Sequence, residues 1–256
     1  MATGSGNLLI YGVVGFFLGL GAFVFGFINL SKKQLISNVP TSKIRSIAMG
    51  LVEVYGDALP DNNKLFITPF TNKQCLCYNY TIKERRGSGK RAHWVTIRQE
   101  TKINNFYVQD ETGKVLLNPA GATVDVPFSF TYSSGFMNDP PIEVRNFLKS
   151  ENLSFEGFLG INKTMKFEEK AIFPNQKLYV LGEAADNPNV EEGTSRQNVE
   201  DIIIQKGKNE KFFYISTKSE KEILASMSLK SYLMIGGGIL LVVGSIIAII
   251  VSLKIF

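Results

Sequence analysis

Few residues of this chain have side chains suited to catalysis or metal binding, and their spacing limits what they can do. Cys75 and Cys77 lie two apart in CLCYNYT, and His93 is the single histidine. Three soft or borderline ligands fall short of the four that close a structural zinc site, and neither C-x-x-C nor H-x-x-x-H spacing occurs. In an extended strand the two cysteines share a face, yet residues two apart seldom meet disulfide geometry. They read as free buried thiols, which suits a reducing compartment. GSGK, residues 87–90, has the look of a phosphate loop. The first glycine of that motif is absent, however, Arg91 stands where Ser or Thr is needed, and a strand follows instead of a helix. No nucleophile-elbow or zinc-protease motif is present, and the paired Glu168 and Glu169 must alternate across a strand. The expectation is no catalytic residue, no metal and no cofactor.

Charge is the remaining chemical signal. The formal net charge is +5, and from Lys83 to Lys102 seven Lys or Arg stand against two Glu. Four of them, Arg85, Arg86, Lys90 and Arg91, fall on one predicted hairpin tip. Such a tip could meet lipid headgroups or an acidic partner, at about 1 kcal/mol per near-surface charge, or it could be a solvated turn. Nothing marks the chain for nucleic acid.

Strand signals surround these residues. In SIAMGLVEVYG the sets Ala48, Gly50, Val52, Val54 and Ile47, Met49, Leu51 are both apolar, which predicts a strand covered on both faces. QCLCYNYTIKE alternates Leu76, Tyr78, Tyr80, Ile82 against Cys75, Cys77, Asn79, Thr81, and RRGSGKR leads from it into AHWVTIRQE as a hairpin. DETG predicts the turn of a second hairpin. DIIIQ, KGKNE and KFFYIST predict a last one. NDPPIEVRNFLKSEN predicts a helix capped by Asp139 with Ile142, Phe147 and Leu148 on its apolar side. Residues 185–198 have no apolar period and predict an exposed loop.

Two further runs belong to a different solvent. Residues 8–30 and 232–253 carry no charge, and at 23 and 22 residues each exceeds the roughly 30 Å hydrocarbon core. The second helix is predicted over 229–253, approached through an S-x-x-E capping box at Ser219 and Glu222. The first run is too long for a signal peptide and no basic residue precedes it. Gly12, Gly15, Gly19, Ala22 and Gly26 form one stripe along it, and Gly244 and Ala248 lie four apart in the other. Such spacing lets helix backbones approach closely, whether the partner is the other span or another subunit.

Several phrases then form an ordered pattern: PTSKIRSIAMGLVEVYGDA, ITPFTNKQCLCYNYTIKE, the tryptophan of HWVTI, NNFYVQDETGKVLLNPAGA and FEEKAIFPNQKLYVLGEA. Together they resemble the GIDE domain, also called BAM for "beside a membrane", over residues 40–226. That domain lies between the two spans of a mitochondrial outer-membrane ubiquitin ligase and is similar to domains of bacterial and archaeal membrane proteins. The resemblance implies a membrane-held, mainly β domain that binds or scaffolds. RING chemistry needs about eight Cys or His ligands, and with two Cys and one His here ligase activity is not carried over.

The expected architecture is a mainly β domain with a small barrel or OB-like core and one or two short helices, flanked by two transmembrane helices. The expected function is a membrane-anchored, non-catalytic binding or scaffold protein that contacts lipid and self-associates or joins another membrane protein. The alternatives are a membrane-bound hydrolase-type enzyme and a lipid-headgroup-binding module. Lys32, Lys33, Lys43, Arg45, Lys218, Lys221 and Lys230 flank the spans on the domain side against Lys254 on the other. The positive-inside rule thus places the domain in the cytoplasm of a cell membrane, whereas the resemblance places it on the opposite side. Glycan on Asn79, Asn152 or Asn162, each in an N-x-S/T sequon, would overturn the cytoplasmic assignment.

Overall fold

A computed structural model describes residues 3–62, 64–157, 160–188, 201–208 and 212–253. The chain divides into two units, one of residues 1–40 with 219–256 and one of residues 41–218.

The first unit is a pair of long helices, α1 (Thr3–Asn38) and α3 (Glu220–Ser252). Both are long and apolar enough to cross a membrane. Helix α3 opens on the predicted capping box: Ser219 accepts from the Glu222 N–H, and the Glu222 carboxylate accepts from the Ser219 N–H at 2.9 Å. It then runs without a break through the apolar stretch.

Among the described residues the second unit contains thirteen strands. They are β1 (Gly50–Pro60), the short pair β2 (Phe66–Ile67) and β3 (Gln74–Cys75), β4 (Cys77–Arg86), β5 (His93–Ile103), β6 (Phe106–Gln109), β7 (Lys114–Leu117), β8 (Thr123–Asp125), β9 (Phe130–Ser134), β10 (Met165–Ile172), β11 (Lys177–Asp186), β12 (Ile202–Gln205) and β13 (Tyr214–Ser216). Helix α2 (Ile142–Ser150) lies between β9 and β10.

Five strands close on themselves in the order β1-β6-β7-β12-β11 and back to β1. Numbered along the chain these are barrel strands one, two, three, five and four. All pairs are antiparallel except β7 with β12. This is the five-stranded Greek-key barrel of OB type. Its interior is filled by Val52, Val54, Ala58, Phe106, Val108, Leu117, Val180 and Ile204. Strand β1 closes the barrel by pairing first with β11 and then with β6. Gly56 sits at that change of partner, where an added Cβ would lie 2.3 Å from the Gln109 carbonyl oxygen. Only glycine permits so close an approach.

Two insertions into the barrel build a second layer. The β4–β5 hairpin comes between barrel strands one and two, and β9, α2 and β10 come between three and four. They combine into the antiparallel sheet β5-β4-β10-β9. One face of it packs on α2 and on Phe70, which meets Tyr80, Phe147 and Phe167 edge to face at 5.5 to 5.9 Å.

Several expectations change. Strand β1 is covered on both faces only over Val52–Val54, where Glu53 on the outer side is buried as well; beyond that stretch Tyr55 is exposed, and Ala48 and Met49 lie exposed before the strand. Cys75 and Cys77 do not share a face. The chain bends at Leu76, whose N–H bonds to the Ile172 carbonyl at 2.8 Å. Cys75 therefore joins the core under α2 and Cys77 the barrel core. Asp139 does not cap α2; the N-cap is Pro141, while the Asp139 carboxylate accepts from Asn162 at 2.6 Å. Val144 is buried on that helix and Ile142 is exposed. The last two strands are no hairpin. Strand β11 is long enough to pair β12 over Glu183–Asp186 and β13 over Tyr179–Leu181, so each docks on its own half of it. The predicted loop begins only after β11 ends at Asp186. Its residues 189–198 lie outside the described residues, as do Asn209, Glu210 and Lys254.

Candidate functional site

The groups with chemical potential are mostly committed to holding the fold. Burial pushes both thiols up to about 12, helped at Cys75 by the Glu169 charge and at Cys77 by Cys75. Neither is a nucleophile near neutral pH. His93 is exposed on the hairpin, 3.1 Å from the Arg91 carbonyl. Glu169 is fully buried and accepts from the Phe70 N–H at 2.7 Å, Thr71 Oγ1 at 2.8 Å and Ser129 Oγ at 3.0 Å. Glu53, also buried, accepts from Thr41 Oγ1 and Tyr179 Oη at 2.5 Å each. Asp110 anchors the β6–β7 turn to the start of the domain: burial raises its pKa, but bonds from Thr112, Ile44 N–H and Gly113 N–H outweigh this and hold it low. Among the described residues no cluster of His, Cys, Asp or Glu could hold a metal.

What remains is a cleft of about 420 Å³ between the barrel side and the second sheet. Its apolar side comes from Ala122, Val124, Val126 and Phe128, its floor from Cys77, Ile103 and Ile172. The opposite wall is the sheet face that α2 does not cover, because strand alternation turns Asn79, Thr81, Glu168 and Lys170 away from Tyr80, Phe167 and Glu169. Register places Lys170, Asn79 and Thr101 in one row across three strands. The Asn79 amide donates to Thr101 Oγ1 at 2.7 Å. Lys170 Nζ lies 4.8 Å from the Phe128 ring centroid, a cation over an aromatic face. Glu168 is held by Lys83 at 2.8 Å and Lys166 at 2.5 Å. Burial raises its pKa, and these two ammonium groups more than reverse that. The cleft thus offers an apolar surface, amide and hydroxyl groups, the Lys170 ammonium and the Glu168 carboxylate, the last already paired with Lys83 and Lys166. Such a lining is suited to binding.

The cleft was not among the residues singled out by sequence. Lys170 and Phe128 are far apart in the chain, and only the β4–β10 pairing and the course of the chain after β8 bring them together. Of the residues that were singled out, Arg85, Arg86, Lys90 and Arg91 do share an exposed hairpin tip. Arg86 pairs with Glu84 at 3.2 Å, and the other three pair with no carboxylate among the described residues.

The small residues of α1 face α3. A Cβ added to Gly12 would lie 2.8 Å from Ile249 Cγ1, one on Gly15 2.5 Å from Ser245 Oγ, one on Gly19 2.9 Å from the Gly238 oxygen, and one on Gly26 2.8 Å from Ile235 Cγ1. Ala22 is half-buried. Gly244, by contrast, has open space around it, as do Gly236 and Gly237, and Ala248 is half-buried beside it in a shallow groove.

The GIDE family model, described as E3 ubiquitin ligase, matches residues 78–250. No curated protein and no solved structure matches the chain.

Proposed function

We propose, for a chain that belongs to the GIDE family, that it is a membrane-anchored, non-catalytic binding protein whose barrel-and-sheet domain receives a segment of a partner protein in its cleft. The observation that carries this is the cleft wall itself. Lys170 lies over Phe128 beside an apolar surface, an arrangement suited to a partner that presents a carboxylate next to apolar side chains. The family description names a ubiquitin ligase, but the 256 residues contain too few Cys and His for a RING, so the reading takes the family's membrane setting and leaves its named chemistry.

The test is a photo-crosslinking amino acid placed at Phe128 in intact membranes, with the same probe at exposed Lys149 as comparison. A discrete adduct from position 128 that disappears on Lys170→Glu is the expected outcome. No adduct, or the same adducts from both positions, would sink the assignment of the cleft.

Within the membrane the protein self-associates. Since Gly15 and Gly19 are occupied by α3, the surface left for a second copy is the open face of Gly237, Gly244 and Ala248. The flanking charges support a cytoplasmic domain, and a glycan on exposed Asn152 in a glycosylating host would reverse that side.

A further inference from the structure

We propose that the end of the second sheet remote from the barrel is a lipid-contacting tip that meets the anionic leaflet of the bilayer holding the chain's own helices. Strand register assembles it. Cys77 and Ile172 stand at the barrel end of β4 and β10, and from there β4 runs seven residues, about 23 Å, to Glu84. At that level Ser134, Met165, Glu84 and Val95 form one row across all four strands. Everything beyond the row lies at the same extremity: the tip with Arg85, Arg86, Lys90 and Arg91, Trp94 opposite Arg85, and the turn that follows Ser134.

That turn supplies what the sequence did not reveal. Gly135 and Asn138 exchange backbone hydrogen bonds, leaving Phe136 and Met137 at the apex, 73% and 88% exposed. Met137 also adopts φ +56°, a backbone region that bulky residues rarely occupy. Trp94 is 47% exposed. Large apolar side chains so far from water-shielding neighbours mark a contact surface. The surrounding charges choose the partner: Arg85, Arg86, Lys90 and Arg91 outnumber Glu84, which pairs with Arg86, and Asp139, whose carboxylate accepts from Asn162.

A convex tip with Trp, Phe and Met among unpaired Arg and Lys matches the headgroup boundary, where rings and thioethers enter the acyl region and cations meet phosphates. A protein groove would demand shape that two turn apices lack. The membrane-crossing length of α1 and α3 keeps a bilayer at high effective concentration. This inference is independent of the cleft.

Trp94 is the chain's only tryptophan, so its fluorescence reports on the tip in the full chain. The chain is placed in nanodiscs of phosphatidylcholine alone, or of phosphatidylcholine and phosphatidylglycerol in about a three-to-one ratio. The expected result is a blue shift, and roughly twofold or greater quenching by brominated acyl chains, in the anionic discs only. High salt should reverse both effects in the wild type, and Arg85→Glu with Lys90→Glu and Arg91→Glu should abolish them with the melting curve unchanged. Identical emission in both lipids would overturn the proposal. So would a shift that appears only when separate phosphatidylglycerol vesicles are added, or one that a polyglutamate peptide reproduces in phosphatidylcholine discs.

Discussion

At the scale of single residues, the two cysteines show how a bend of one residue redirects chemistry. Alternation placed both on one face, yet the break at Leu76 sends Cys75 and Cys77 into separate cores, and burial pushes both up to about 12. The sign of the consequence is fixed. The folded state holds these protons more tightly than the unfolded chain, whose thiols titrate near 9.0. Their contribution is intact below that pH and is lost as pH rises toward the folded value. Stability measured by thermal melting should therefore decline between about pH 9 and 12, and Cys75→Ala with Cys77→Ala should flatten that decline. An unchanged slope in the double variant would show that other groups govern it. Burial is the part sequence alone could anticipate, since cysteine in an apolar strand is usually inside; the bend depends on the Leu76 to Ile172 hydrogen bond across the chain.

At the scale of elements, local pattern and long-range pairing contributed differently. The capping box of α3, the basic hairpin and the DETG turn were legible because each is specified by neighbours in sequence. The pairing of β12 and β13 was not, because it depends on β11 being long enough to hold both. The same limit applies to the cleft, whose wall comes from insertions that meet only in the folded domain. Among the helices the glycine spacing was visible, whereas the partner was not. The contacts separate a packed stripe from an open face. Gly19→Leu should force α1 and α3 apart, because backbone atoms of Gly238 occupy the space its side chain would need. Its detergent-solubilised melting temperature should fall by several degrees, the scale of a badly overpacked contact at about 1 to 3 kcal/mol. Gly244→Leu enters open space and should leave the melting temperature in place while shifting the oligomer distribution by native electrophoresis or light scattering. The reverse pattern would show that the stripe serves assembly and the open face serves the helix pair.

At the scale of the whole molecule, the chain joins two long apolar helices to an OB-type barrel enlarged by two insertions, and the enlargement is where the proposed binding surfaces arise. The inserted sheet adds a cleft beside the barrel and an extremity some 20 Å or more away, so the proposed partner site and the proposed lipid contact lie at separate places. The family's description names a ubiquitin ligase, whereas the function proposed for this chain is binding without ligase chemistry. Ubiquitin transfer by the purified protein distinguishes the two. In a reaction with activating enzyme, conjugating enzyme, ubiquitin and ATP, the chain should add no conjugates above those formed in its absence, while a RING protein in the same reaction does. Ubiquitin conjugates that depend on this chain would contradict the account.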